Sequence, residues 1–405
     1  MTLAEKSSPA VRSAVAKVEH AQAAVSEARD AYIPNFVFGA NPGYVYGYPL
    51  GYPSLFQANS QSLVFSFAQP DYIRAAHAGL EAASLSLKDT QQQVALDVSL
   101  DYVELEHDLA EIAALDEEKS YAASLVSIEQ DRVQAGVDPR VDQLQAELTA
   151  AQAEEKRIHL ANDADAMRQK LADLTGLPAE GFSPVSDSVP AIPALDPDAP
   201  NSAAASPGVS AAYANAQSKL YQAFGDSRQN YRPTLAFGAQ YSLFEKFANY
   251  TQYFPNGLQY NNAAIGVVVT LPFFDATRRA KARESAADAT DARASADQSR
   301  NTLSEQTLLA RRTVRELAAE KRVAQIQSEL AQEQLKTVNT ELASGSGSAT
   351  AQPVSPVAAQ KAHIDEREKY EDLLDTNFSL IKVQLNLLRM TGQINDWVSS
   401  SLKTP

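Results

Sequence analysis

The residues best suited to chemistry in this sequence are five histidines, because an imidazole ring binds metals and transfers protons near neutral pH. They are scattered singly along the chain, and none has a second histidine three or four residues away to complete a metal-binding pair on a helix. The sequence therefore predicts no metal site. The five residues are His20, His77, His107, His159 and His363.

Four charged residues cluster at Glu104, Glu106, His107 and Asp108. Neighbours one or two positions apart do not share a helix face, so this group does not predict a catalytic dyad. The chain has 0 cysteines, which excludes thiolate nucleophiles and thiolate metal sites. It also lacks a glycine-rich phosphate loop and a nucleophile elbow. We predict that the protein is not an enzyme.

The composition and charge of the chain argue against nucleic acid as a binding partner. The 405 residues are 44% hydrophobic and carry a net charge of −15. That apolar content is normal for a folded protein, whereas nucleic-acid binding relies on clustered lysines and arginines that are absent here. We predict no nucleic-acid partner.

The element that must position everything else is a long helix from Asp71 to Gly136. Gly79 is the one glycine inside this segment, and no proline lies within it. Nothing in the segment therefore forces the helix to stop. A helix of about 65 residues is roughly 100 Å long. Its apolar residues recur every three or four positions, which makes one stripe that must pack against other helices.

The chain contains an internal duplication. Tyr32–Ala40 reads YIPNFVFGA and Tyr231–Ala239 reads YRPTLAFGA, and each segment lies between a helical pattern and an alternating pattern. Each half is predicted to be a helix, a β-hairpin, a long helix and a further helix. The fold class is therefore mainly α with a small β part, in two tandem structural repeats.

The predicted boundaries are as follows. The first repeat is residues 1–178, with strands at about 34–48 and 61–69 and a long helix at about 71–135. A proline-rich connector occupies residues 179–206. The second repeat is residues 207–393, with strands at about 233–244 and 262–272 and a long helix at about 275–342; residues 394–405 are a tail.

The predicted strands alternate bulky apolar residues with small or polar ones, as a wall between lipid and an aqueous lumen does. Alternation is equally typical of a half-buried sheet on a soluble core, and both interpretations remain open at this point. In the first, the lipid-facing residues are Phe36, Phe38, Phe65, Phe67, Leu235, Phe237, Tyr241, Val267 and Val269.

Several motifs, in this order and spacing, resemble the outer-membrane efflux protein family, the TolC-like exit ducts of Gram-negative bacteria. LPFFDATRRAKARESAAD, from Leu271, resembles the family's Pro-Leu-Phe-Asp start of the long helix. DRVQAGVDPRVDQLQAE (Asp131–Glu147) is similar to its Arg-x-x-x-Gly turn followed by Asp-x-Leu-x-Ala, and Leu-Thr-Gly or a close variant ends each half.

The resemblance implies a homotrimer, a trimeric α-helical barrel continuous with a 12-stranded transmembrane β-barrel to which each chain gives four strands. The protein would be an exit duct of a tripartite efflux or type I secretion system, in the outer membrane with its helices in the periplasm. Its partners would be outer-membrane lipid, a periplasmic adaptor (membrane fusion) protein and, indirectly, an inner-membrane pump; no cofactor is implied.

On this mapping the adaptor contacts a periplasmic tip at Gly136, Val137, Asp138 and Pro139. Asp138 and Asp142 are candidate acidic residues at the lumen entrance, although acidic residues are also common at an ordinary helix start. The second tip, residues 344–356, departs from the family pattern in being long and rich in serine, glycine and alanine.

Two alternatives remain at this stage: a periplasmic coiled-coil scaffold or adaptor without a pore, and a duct relative that no longer forms one. The N-terminus lacks the charged and apolar regions of a secretory signal. Either the protein stays inside the cell, or the numbering starts after a removed signal.

Overall fold

The computed structural model of the protein describes residues 2–43, 54–180, 182–185, 189, 192–193, 206–244, 250–257, 259–344 and 355–401. Most of these residues are helical, and the mainly α fold with a small antiparallel sheet predicted from the sequence is confirmed. The helices are α1 (Thr2–Ser7), α2 (Pro9–Asp30), α3 (Gln69–Gln134), α4 (Arg140–Thr175), α5 (Pro207–Gln229), α6 (Tyr250–Tyr253), α7 (Ala276–Ser344), α8 (Pro356–Met390) and α9 (Ile394–Ser401).

The strands form one antiparallel four-stranded sheet in the order β1-β2-β3-β4. Their bounds are β1 (Asn35–Asn41), β2 (Ser54–Ser66), β3 (Thr234–Phe244) and β4 (Asn261–Thr270). The central pair joins β2, from the first predicted repeat, to β3, from the second. β1 and β4 are the two edges of the sheet, and each has one hydrogen-bonded neighbour among the described residues.

The two longest helices, α3 with 66 residues and α7 with 69, are continuous. The proline of α3 is Pro70, at the second helical position, where a missing N–H costs no hydrogen bond. At a rise of 1.5 Å per residue each helix is roughly 100 Å long. Among the described helices, none is both long and apolar enough to cross a membrane.

The chain divides into two compact units. Unit 1 contains residues 1–13, 88–206 and 301–405, and unit 2 contains residues 14–87 and 207–300. Both α3 and α7 therefore contribute to each unit. The division into two sequence repeats is a separate description of the chain, and it stays a prediction.

Small buried residues at seven-residue spacing hold the helices together within each unit. A seven-residue repeat marks a continuous seam between packed helices, and alanine at the seam lets two backbones approach closely because it carries no atom beyond Cβ. The buried residues at this spacing are Val209, Ala216 and Ala223 on α5 and Ala289 and Ala296 on α7 in unit 2, and Ala146 and Ala153 on α4 and Ala324 and Ala331 on α7 in unit 1.

Larger side chains form a hydrophobic cluster in unit 1. Leu385 and Leu388 of α8 pack there with Ile394 and Trp397 of α9. Val189 and Ile192, from the described part of the proline-rich connector, also pack against this cluster. Residues 394–405 were predicted from the sequence to be a tail, but Ile394–Ser401 form a helix. The apolar face of α9 is buried in this core.

In unit 2, α3 and α5 approach closely at Tyr72. The Tyr72 hydroxyl donates to Asp226 Oδ1 at 2.7 Å and contacts Gln229 Oε1 at 3.1 Å. A Cβ atom added to Gly225 would lie 2.6 Å from the Tyr72 ring. The absence of a side chain at position 225 is therefore what allows this contact.

Equivalent local contacts support the duplication. The first turn of α3 contains an Asp71–Arg74 ion pair of 3.3 Å, and the start of α7 contains an Asp275–Arg278 pair of 3.1 Å. At the ends of α4 and α8 the Thr175 and Thr391 hydroxyls each donate to a carbonyl four residues earlier. The glycine that follows each threonine has a positive φ, 72° at Gly176 and 77° at Gly392.

Strand β2 begins at Ser54, seven residues before the predicted start at about 61. Its first half is rich in asparagine, glutamine and serine, which have low strand propensity. These residues nevertheless form a strand because β2 is central, and residues 57–59 pair with both β1 and β3. The end of the predicted first strand, residues 44–48, lies outside the described residues.

The Tyr72 contact leads to the first prediction. Replacing a helical glycine by alanine normally stabilises a helix by up to about 1 kcal/mol. We expect Gly225→Ala to destabilise the protein instead, by about 1–3 kcal/mol, because the methyl group overpacks against a hydrogen-bonded ring. Thermal unfolding followed by circular dichroism measures the change.

Gly79→Ala is the matched control. Gly79 is also helical and in unit 2, and its added Cβ would meet Ser218 Oγ at 3.5 Å, an ordinary contact. We expect this variant to be as stable as the wild type or more so. An equal gain of stability in both variants would show that α5 does not approach Tyr72 closely enough to exclude a methyl group at position 225.

Candidate functional site

The sheet has two chemically different faces. Directly paired residues of antiparallel strands share a face, and the register pairs Phe237 with Val267 and Leu235 with Val269. The pairing continues across β2 and β1, and the rings of Phe38 and Phe56 stack with centroids 5.9 Å apart. The structure places eight of the predicted lipid-facing residues on this apolar face: Phe36, Phe38, Phe65, Leu235, Phe237, Tyr241, Val267 and Val269.

The ninth residue, Phe67, lies just beyond the end of β2. Its ring packs edge-on against Phe65, with centroids 4.8 Å apart, and the guanidinium of Arg232 lies 5.3 Å from its centroid. Phe67 is therefore part of the connection between β2 and α3 and not of a strand face.

The strict alternation predicted for β2 is wrong at one point. The register shifts between Leu63 and Phe65, so that Leu63 pairs with Ala236 and Phe65 pairs with Leu235. The extra residue, Val64, forms a β-bulge. Beyond a bulge, odd-numbered and even-numbered residues of the strand exchange faces. As a result Leu63 is on the face opposite Phe65, and Ser60 and Ser62 are on the apolar face.

The second face of the sheet is composed mostly of small and polar residues, and Val37, Leu63 and Val268 also lie on it. The pairs on it include Gly238 with Gly266, Gln240 with Ala264 and Ser242 with Asn262. A sheet with bulky apolar residues on one side and small polar residues on the other can separate a hydrocarbon phase from water.

The predicted tip is a tight turn between α3 and α4 in unit 1. Gly136 has a φ of 71°, a conformation that glycine adopts without strain, and the Val137 N–H donates to the Arg132 carbonyl at 2.9 Å. Pro139 precedes the first residue of α4 in an extended conformation. The Val137 side chain is 61% exposed at the turn. The predicted contact residues thus form one compact turn.

The two candidate acidic residues differ. Asp138 is held by the guanidinium of Arg132 in a two-bond ion pair, with Arg132 Nη2 at 3.0 Å from Asp138 Oδ1, and these hydrogen bonds lower the pKa of Asp138. Asp142 lies in the first turn of α4, where its backbone N–H bonds the Pro139 carbonyl. Asp138 therefore stabilises the turn. Most of the second tip, residues 345–354, lies outside the described residues.

A charged network in unit 1, built around three buried carboxylates, was not predicted from the sequence. We call it the Lys156 network; its members are His107, Glu111 and Glu118 of α3, Lys156 of α4, and Glu371 and Asp375 of α8. Lys156 Nζ lies 2.8 Å from Glu111 Oε1 and 2.7 Å from Glu371 Oε2. His107 Nε2 lies 3.3 Å from Glu111 Oε2 and 3.1 Å from Asp375 Oδ1.

Burial and pairing set the protonation of this network. Burial alone would lower the pKa of His107, but the hydrogen bonds and charges of Asp375 and Glu111 outweigh it and raise the pKa to about 9. Burial, together with the neighbouring Glu371 carboxylate, raises the pKa of Glu118. The network thus pairs His107 and Lys156 each with two carboxylates, and it also contains one carboxyl–carboxyl contact, between Glu118 and Glu371.

Part of this network could have been found from the sequence. His107 and Glu111 are four residues apart on one helix and so share a face, whereas Glu106 and Asp108, the immediate neighbours of His107, do not share its face. The other partners come from α4 and α8, and a single sequence gives no indication that they meet. His159 forms a simpler pair with Asp163, with 2.8 Å between Nδ1 and Oδ2.

The fold is that of known outer-membrane channels. The outer-membrane channel OprN superposes with a TM-score of 0.77 and 17% identity over 97% of this chain and 88% of its own. The outer membrane protein VceC of Vibrio cholerae gives 0.74 and 16% over 96% and 94%. The CmeC outer membrane channel of Campylobacter jejuni gives 0.76 and 14% over 99% and 88%.

The sequence itself matches the family model described as outer membrane efflux protein over residues 1–177. No curated protein matches the chain. The resemblance to the outer-membrane efflux protein family, predicted from the motifs, is therefore confirmed: the first part of the chain matches the family model, and the described fold matches solved outer-membrane channels.

Lys156 provides a test of the buried network. We expect Lys156→Met to destabilise unit 1 by about 1–3 kcal/mol, because it leaves the buried carboxylates of Glu111 and Glu371 without their shared cation. Denaturant unfolding followed by helical circular dichroism measures the loss.

Lys119→Met is the control for that variant. Lys119 Nζ lies 2.5 Å from Glu154 Oε2, and Lys119 is about as exposed as Lys156, but its carboxylate partner is more than a third exposed whereas Glu111 and Glu371 are buried. Exposed pairs contribute about 0–1 kcal/mol. Equal losses in the two variants would mean that burial of the carboxylates does not determine the energy.

The raised pKa of Glu118 predicts a pH dependence of stability. Since the folded state holds this proton above the ordinary glutamate pKa of 4.5, stability is lost as pH rises beyond that value. Glu118→Gln keeps a donor toward Glu371 without the titration. We expect it to unfold like the wild type near pH 4 and to be the more stable of the two near pH 8.

Denaturant midpoints at both pH values measure this effect. Charged groups that act on Glu118 besides Glu371 are Glu368 and Lys156, and both are retained in the variant. Parallel pH profiles for wild type and Glu118→Gln would show that Glu118 ionises like an exposed glutamate.

Proposed function

We propose that this protein is an outer-membrane exit duct of a tripartite efflux or type I secretion system. In this role it conducts substrates passively from a periplasmic adaptor and inner-membrane pump to the outside. The observation that carries the proposal is the sheet, because one face is bulky and apolar, the other is small and polar, and both edges are open.

Open edges require a partner. A four-stranded sheet cannot close on itself, since closed barrels need about eight strands or more. Three copies, each pairing its β1 edge with the β4 edge of the next, would give twelve strands with no unpaired edge. The apolar face then contacts outer-membrane lipid and the polar face lines the lumen.

The helices suit the periplasmic part of such a duct. We assign the turn at Gly136–Pro139 as one contact for the adaptor, and its exposed apolar surface supports this assignment. Beyond Val137, the exposed apolar residues on α4 recur on one side of its first turns: Val141, Leu144 and Leu148. Asp142 is the better placed of the two acidic residues to act on passing cations, because Asp138 is engaged by Arg132.

The direct test is the mass of the detergent-extracted protein together with its conductance in a planar lipid bilayer. The proposal expects a trimer that inserts and conducts. A monomer that is soluble without detergent and silent in the bilayer would instead favour a periplasmic scaffold. A trimer that inserts without conducting would indicate a duct relative without an open pore.

Two neighbouring valines on β4 test the assignment of the faces. Val267 and Val268 are 60% and 57% exposed and lie on opposite faces. We expect Val267→Arg to abolish bilayer insertion, because an arginine facing lipid costs about 2–4 kcal/mol per chain at the membrane centre. Insertion frequency in the same bilayer assay measures it.

Val268→Arg is the matched control. On the face assigned to the lumen its guanidinium stays in water, so we expect normal insertion with reduced cation conductance. The opposite ranking of the two variants would reverse the assignment of lipid and lumen faces.

A further inference from the structure

We infer that His107, Glu111 and Asp375 form a binding site for a divalent transition-metal ion of the Zn²⁺ class. This inference goes beyond the proposed function, because the site would exist equally in a scaffold without a pore. It rests on the geometry of three side chains that two separate helices bring together in unit 1.

Two of the three distances between ligand atoms match those around a tetrahedral ion, and all three atoms lie within 4.8 Å of one another. Ligands of Zn²⁺ lie about 2.0–2.2 Å from the metal, so two of them at a tetrahedral angle are about 3.3 Å apart. His107 Nε2 lies 3.3 Å from Glu111 Oε2 and 3.1 Å from Asp375 Oδ1. An ion can therefore take the place of the proton that His107 Nε2 shares with the two carboxylates, with little movement of the ligands.

Surrounding contacts fix these ligands, as the outer shell of metal sites does. The imidazole ring of His107 stacks on Phe378 with centroids 4.6 Å apart and an angle of 7° between the planes. The other carboxylate oxygen of Glu111, Oε1, forms an ion pair with Lys156, and Lys156 also pairs with Glu371. The lysine also keeps the buried carboxylates from repelling one another when no ion is bound.

The site is reachable from solvent at one end. Glu111 is buried, whereas the Asp375 side chain is 56% exposed. His107 also lines a cavity of about 390 Å³ together with Phe378 and Leu374. An ion can thus approach along Asp375, and a water molecule can complete the coordination.

The donor set selects the class of ion. One imidazole nitrogen and two carboxylate oxygens suit Zn²⁺ and Co²⁺, whereas Mg²⁺ and Ca²⁺ prefer oxygen ligands alone. A second group of acidic residues at the tip, Glu129, Asp138 and Asp142, contains no histidine, and Arg132 already holds its Asp138. We therefore assign the metal to the His107 site.

The experiment uses the full chain in detergent after treatment with a chelator. Co²⁺ is titrated while the visible absorption bands of tetrahedral cobalt are followed, and Zn²⁺ is then added in competition. We expect saturation at one ion per chain and displacement by Zn²⁺. His107→Gln and Asp375→Asn are each expected to weaken binding at least tenfold.

His159→Gln and Asp142→Asn are the matched controls. The first removes an exposed histidine that pairs with a single carboxylate, and the second alters the acidic group at the tip. We expect both to bind like the wild type. The proposal is overturned if the wild type shows no saturable binding, or if His107→Gln binds Co²⁺ as well as the wild type does.

Folding of the variants is checked by circular dichroism and thermal unfolding with and without Zn²⁺. A bound ion stabilises the folded state by mass action, so we expect Zn²⁺ to raise the Tm of the wild type and not that of Asp375→Asn. Because Asp375 is half exposed, this variant serves where His107→Gln fails to fold. Channel conductance is measured in a separate experiment. Failure of the metal site to bind can therefore be distinguished from failure of the protein to act as a duct.

Discussion

Close helix packing through small residues is the constraint on which the rest of this structure depends. Helices of 66 and 69 residues depend on tertiary packing for most of their stability, so they need contacts along their length. On α7 that contact includes two pairs of buried alanines seven residues apart, Ala289 with Ala296 and Ala324 with Ala331. On α3 it is made largely by leucine and valine, and further large side chains pack in the cluster around Leu385, Leu388 and Trp397.

The same constraint explains where charge is buried. Narrow alanine seams leave long side chains to fill the gaps between helices, and in unit 1 several of these are ionised. In the Lys156 network the shared cation offsets the desolvation cost, because the buried carboxylates of Glu111 and Glu371 each lie within 3 Å of the Lys156 ammonium group. A structural ion network and a metal site are not exclusive, because a cation can replace a proton within the same set of partners.

Much of the fold was accessible from the sequence. The absence of internal proline predicted α3 and α7, and the repeated YxPxxxFGA segment predicted equivalent strands in both halves. The alternate residues predicted to lie on one face do so in β3 and β4, where pairing is regular. In β2 the prediction is wrong for part of the strand, because the bulge at Val64 cannot be recognised from residue types. The early start of β2 depends on its central position, a tertiary effect that overrides propensity.

The candidate sites divide in the same way. The tip turn was predictable because Gly136 and Pro139 mark a helix break in any context. The pairing of His107 with Glu111 could have been read from their four-residue spacing. Asp375, by contrast, is 268 residues from His107 in the 405-residue chain, and only the fold shows that they meet. The apolar α9 was missed because a short segment with one tryptophan resembles a tail.

The pairing of β2 with β3 also has a consequence for the order of folding. Its partners, such as Ser60 and Ala239, come from different halves of the chain, so the loop that must close is long and its entropy cost is paid late. The hairpin of β1 and β2 is marginal alone and stays without its central neighbour until the second half has been synthesised. The helices, with their local hydrogen bonds, can form first. Until β3 is available, the chain would therefore expose an unfinished strand pair with an apolar face.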